Sequence, residues 1–402
     1  MRPSDLLAAF FGLGIGFLLI AVVVVVIYAA GGWVPGRWLA LHLAFVGGVS
    51  QLVLGASQFF VGAFLATTPP PRALVRGQLM AWNVGTVLAA IGVTGRYELA
   101  TDAGAALLLL GLLLLAAGFR SMQRRSLQRA PWAARWYYAC ATFLALGVIA
   151  GGLLARGVAW PLGSLLGTHL ALNVAGWFGT AIIGTLHTFY PSLTQTRLRF
   201  PRLQPVAFTA WVLGTVALAS GYGVGTPWLA VTGWVGLLLG GALLAVNLLA
   251  STRQAPTPLS LPARLVAVGQ CFLVAGLLVG LVATLSQAPA TPVAGAERSA
   301  VAVLLLAGWL GMTVFGSLLH LLSVLVRVRD PARALPQPSQ IRDGTLAALV
   351  AAGILGVAVG RLLSVEPLVT PAAVAVILVY LVLMARVVIL AARALRYGEL
   401  SI

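Results

Sequence analysis

Lysine is absent from this chain of 402 residues, and acidic residues number only eight. All 25 basic residues are therefore arginine, and charged residues make up 8% of the sequence. Soluble domains carry roughly 25% charged residues, so a soluble globular domain is excluded. Cysteine occurs twice, at Cys140 and Cys271, each inside an apolar stretch, which excludes a disulfide framework. No carboxylate falls in the middle of a long apolar stretch, so the acidic half of a membrane proton relay is missing.

What is present in quantity is hydrophobic. Sixty per cent of the residues are apolar, and the mean hydropathy is +1.02. A hydrocarbon core of ~30 Å needs about 20 apolar residues per helix. Stretches of that kind run over 5–30, 38–66, 78–96, 103–121, 136–156, 164–192, 205–223, 226–251, 264–286, 298–326, 343–363 and 367–395. The fold class expected is an all-α polytopic membrane protein of twelve transmembrane helices. The first stretch lacks a small-residue cleavage motif and reads as a retained helix, not a removed signal.

The net charge of +17 would suggest nucleic acid in a soluble protein, but in a bilayer arginine marks loops on the cytoplasmic side. Loops after even-numbered helices, with the termini, hold nineteen arginines, whereas the opposite side holds Arg37, Arg96, Arg156, Arg298 and Arg361. The expected topology is multi-pass in a bacterial or archaeal cytoplasmic membrane with both termini cytoplasmic, and with the lipid bilayer, not nucleic acid, as partner.

An internal repeat is legible in the second, sixth and tenth stretches. The sixth reads Ala175-Gly176-Trp177-Phe178-Gly179 and then Gly184-Thr185-Leu186-His187. The tenth reads Ala307-Gly308-Trp309-Leu310-Gly311 and then Gly316-Ser317-Leu318-Leu319-His320. Gly47 and Gly55 keep the same spacing in the second. Offsets of 129 and 132 residues define four-helix units at roughly 1–133, 134–262 and 263–402, three pseudo-repeats in one bundle. Small residues at helix contacts are common, but the shared Ala-Gly-Trp-x-Gly makes coincidence a poor account.

All four histidines, His42, His169, His187 and His320, fall in those three stretches. An ionisable side chain inside a membrane is a functional hypothesis by default, and the plainer reading is a neutral imidazole bonded to a backbone carbonyl. His42 and His169 form one pair by depth, and His187 and His320 a second. With 3.6 residues per turn, His169 and His187 are expected on one face of the sixth helix, followed from His169 by Asn173 and Gly176. Paired imidazoles suit haem iron, with glycine leaving space for a macrocycle. Copper is the alternative metal, and a Cys2His2 centre from Cys140, Cys271, His187 and His320 a minor one.

At His169-Leu170-Ala171-Leu172-Asn173-Val174-Ala175-Gly176-Trp177-Phe178-Gly179, with Gly184 and Tyr190-Pro191, the chain resembles subunit I of the haem-copper oxidase superfamily. It is most similar there to the C-type oxidases, the nitric oxide reductases and the smaller NnrS-type haem proteins. The resemblance implies twelve helices in three arcs and haem b, with His42 and His169 as axial ligands and Asn173 and Gly176 beside them. It also implies nitric oxide or another small gas as ligand, while the matched depth of His187 and His320 suits a second haem or metal there. Departures limit it. Ala171 stands where the family has a second histidine, the best match is the sixth helix instead of the tenth, and the seventh helix has no histidine for the active-site copper. Oxygen reduction is therefore not expected. The functions left are a haem protein in nitric oxide chemistry or electron transfer, a copper or other metal-handling permease, and a non-catalytic assembly subunit.

Overall fold

A computed structural model describes residues 3–32, 35–128, 132–287, 293–329 and 339–396. The proline-rich stretch 330–338 and both termini lie outside the described residues. Among the described residues twelve helices are long and apolar enough to cross a membrane: α1 (Ala8–Gly31), α2 (Gly36–Phe64), α3 (Arg72–Gly95), α4 (Glu98–Arg125), α5 (Ala134–Ala155), α6 (Leu165–Leu193), α7 (Leu203–Gly223), α8 (Pro227–Gln254), α9 (Leu261–Ser286), α10 (Gly295–Arg329), α11 (Gln340–Leu362) and α12 (Glu366–Ala394). No strand occurs among the described residues. The all-α membrane architecture is the one the composition requires.

The largest differences from the sequence expectation are at α3 and α4, each longer than its apolar stretch. Arg72 and Arg76 open α3, while Glu98 opens α4 and Arg124 and Arg125 close it. An apolar window discards such turns. Those of α4 are nonetheless good helix ends, because an acid complements the N-terminal dipole and a base the C-terminal one, whereas the arginines that open α3 oppose it. Elsewhere the ends follow capping chemistry. Ser164 accepts from the Gly167 N–H at 3.0 Å to start α6, and Ser260 and Ser339 cap α9 and α11.

The chain divides into two compact units, residues 1–159 with 395–402, and residues 160–394. In the first, the tightest packing is the α3–α4 hairpin. A Cβ on Gly104 would overlap the backbone nitrogen of Ala89, one on Gly92 the backbone of Thr101, and one on Gly85 the backbone of Gly104 and Leu108. In the second unit the α7–α8 hairpin is built in the same way. Gly233 meets Leu218, Gly221 meets Ala230, and Gly214 meets Gly233 and Leu237. Every member of the second set lies 129 residues after its counterpart, the offset that separates Gly47 from Gly176. In both hairpins glycine lets the backbones touch, which in lipid replaces the missing hydrophobic drive between helices.

The second unit also contains one charged pair that the apolar pattern hides. Arg386 lies inside α12 and donates to Asp343 near the start of α11 at 3.1 Å, with the carboxylate largely buried.

Candidate functional site: histidines beside widened helical turns

α2, α6 and α10 share a feature absent from the sequence pattern. Each contains a π-helical segment: Leu43–Val49, Leu172–Gly179 and Val303–Gly311. Such a segment inserts a residue into the helix and interrupts its hydrogen-bond ladder, and π-bulges cluster at functional sites. In each segment one carbonyl accepts a side-chain donor from a neighbouring helix, and that of Ala175 also accepts the Thr180 backbone N–H. Trp82 of α3 donates its indole N–H to the Val46 carbonyl at 3.1 Å, and Trp211 of α7 donates to the Ala175 carbonyl at 3.0 Å. In α10 the Ala307 carbonyl accepts from the Tyr380 hydroxyl of α12. The three acceptors immediately precede Gly47, Gly176 and Gly308. Trp82 and Trp211 are again 129 residues apart; Tyr380 takes over their role in the last copy.

His42 stands immediately before the segment in α2. Its Nδ1 donates to the Trp38 carbonyl at 2.9 Å, and its ring stacks on the Trp38 indole at 4.0 Å between centroids. That bond puts the ring hydrogen on Nδ1 and leaves the Nε2 lone pair as the ligating position. His169 lies three residues before the segment in α6 and is half-buried. Asn173, one turn on, donates its amino group to the His169 carbonyl at 2.7 Å and sits 3.3 Å from ring Nδ1. In that pose Nδ1 accepts and Nε2 carries the hydrogen. The amide cannot turn over, because its oxygen would then face the His169 carbonyl; a metal at Nε2 requires the hydrogen on Nδ1 and so a different partner for that nitrogen.

His187 is fully buried, and its Nδ1 donates to the Ile183 carbonyl at 2.8 Å. His320 is half-buried with its ring edge-on to Phe189, centroids 5.5 Å apart. The expectation that His169 and His187 share a face fails, because the π-helical segment lies between them. One inserted residue turns everything beyond it by about 100° relative to an unbroken α-helix. The cysteines diverge as well. Cys140 is buried and bonded to the Tyr137 carbonyl, whereas Cys271 is exposed. Among the described residues no three His, Cys, Asp or Glu side chains converge.

His42 and His169 offer the donor chemistry that haem iron takes, and each ring is positioned by its own helix. The glycines beside them have a second use. Phe17 of α1 packs into the space a Cβ on Gly47 would fill, and Phe272 of α9 does the same at Gly308. Gly176 is buried at the equivalent place in α6. Asn173 was legible from its one-turn spacing to His169. The aromatic donors to the widened turns were not, since a buried Trp in a membrane helix carries no sign of its partner. No family model matches the chain, and no curated protein matches it in sequence.

Proposed function

We propose that this chain is a haem b-binding protein of a bacterial or archaeal cytoplasmic membrane, with both termini on the cytoplasmic side. His42 and His169 are the imidazoles that would hold haem iron. The observation that carries the reading is His42, immediately before a widened turn with its Nδ1–H bonded to the Trp38 carbonyl, and His169 occupies the turn before the matching segment of α6. Iron-ligating histidines are oriented by such a bond on the other ring nitrogen. Bound haem supplies one-electron chemistry and, where a ligand position opens, affinity for a gas such as nitric oxide. The residues' part is to hold the ring plane, through Trp38 at His42.

Optical spectroscopy of the purified protein tests this. A Soret band with sharp bands on reduction is the expected result. A colourless protein that retains copper after purification would replace the reading with metal handling. A colourless, metal-free protein would leave an assembly subunit. The haem-to-protein ratio decides whether His187 and His320 hold a second group.

A further inference from the structure

The second unit contains a half-open pocket of about 150 Å³ among α6, α7, α8, α9 and α10, and none of the four histidines lines it. Its walls include the indoles of Trp211, Trp234 and Trp309 and the ring of Tyr222. Each indole is fixed from behind. Trp211 donates to the Ala175 carbonyl, Trp309 donates to Gln270 Oε1 at 3.2 Å, and Trp234 lies against Gly280, where a Cβ would overlap its ring. The cavity is therefore preformed and does not depend on a ligand to open it.

Among the lining residues one is charged, Arg298 in the first turns of α10. It is exposed, and among the described residues its guanidinium makes no ion pair. Arg361, at the same end of the unit, is satisfied by Glu366 at 2.7 Å. An apolar volume of about 150 Å³ accommodates a molecule the size of benzene, about six carbons. A cation at its rim adds a preference for a negative end.

We propose that this cavity binds a small amphiphile: a hydrocarbon body of about six carbons held among the three indoles, with an anionic group at Arg298. The proposal is independent of haem. A soluble carboxylate and the anionic end of a lipid share this chemistry.

Quenching of tryptophan fluorescence in the purified full chain by 6-bromohexanoate tests it, because the bromine would sit against the indoles. Saturable, partial quenching is expected, with 1-bromohexane binding much more weakly. Arg298→Gln, a change at an exposed position, should weaken binding at least tenfold, and Ala302→Trp should abolish it by filling the chamber. Among unbranched carboxylates, affinity should rise about fourfold per methylene up to about six carbons and then level off. Quenching that never saturates, or equal affinity in Arg298→Gln, would overturn the proposal. Competition in phosphatidylglycerol but not phosphatidylcholine nanodiscs would assign the anion to lipid. Equal binding in both would assign it to a soluble acid.

Discussion

Trp82 reaches across from α3 to donate its indole N–H to the Val46 carbonyl, 36 residues earlier and 3.1 Å away. The bond ties α3 to the widened turn of α2 and adds a side-chain donor to one of its carbonyls, in a medium that supplies no water.

Trp82→Phe keeps the packing and removes that donor. Membrane hydrogen bonds average ~0.6 kcal/mol, so a loss of up to about 1 kcal/mol is expected. Thr180 also donates to the Ala175 carbonyl, at 3.3 Å, so Trp211→Phe leaves its acceptor partly served. Its loss should come mainly from the enlarged cavity. Reversible unfolding in mixed micelles measures both, and a Trp82→Phe variant as stable as the parent would show that the bond is dispensable.

Gly104→Ala and Gly233→Ala should destabilise to similar degrees. Each added Cβ meets backbone, not a movable side-chain end, so the hairpin must splay. Overpacking of this kind costs about 1–3 kcal/mol. Alanine at Gly152, where a Cβ meets nothing within 4 Å, is the matched control and should be close to neutral. Equal stability of all three variants would refute the close-contact account of these hairpins.

The Arg386–Asp343 pair gives a double-mutant prediction. Either Arg386→Leu or Asp343→Leu strands a partly buried charge in the second unit and should lower stability by a few kcal/mol. The double replacement removes both charges and should recover most of that loss. Additive losses in the double variant would mean that the two side chains do not interact.

For the haem reading, His42→Ala and His169→Ala separate shared ligation from single ligation. Loss of haem or conversion to a high-spin spectrum in both variants is the expected outcome. Near-normal haem with an unchanged low-spin spectrum in His42→Ala would leave His169 as sole protein ligand. Asn173→Leu should retain haem but shift its reduction potential, because the leucine removes the polar side chain beside the His169 ring.

The helix count was legible because hydropathy and length alone decide it. Helix ends at Arg72, Glu98 and Arg125 were less legible, since a search for apolar runs discards the charged turns that cap a span. The repeat was visible in Ala-Gly-Trp-x-Gly, yet its fuller record, the glycines of the two hairpins, is scattered one residue at a time and becomes a pattern only when contacts are known. The π-helical segments left no mark at all. A face assignment made at 3.6 residues per turn consequently carries His187 to the wrong side of α6. Arg386 was missed because loops were where arginine was counted.

The 129-residue offset has a consequence for how this chain could change over time. His42 has Ala171 as its counterpart one copy later, and His169 has Ala40 one copy earlier. The glycine contacts of each hairpin and the indole bond to each widened turn are complete within one copy. Neither copy leans on the other's histidine to stay folded, so an ancestral duplicate was at liberty to keep one imidazole and discard another. Symmetry in this molecule belongs to the scaffold, and individuality to the residues that carry chemistry.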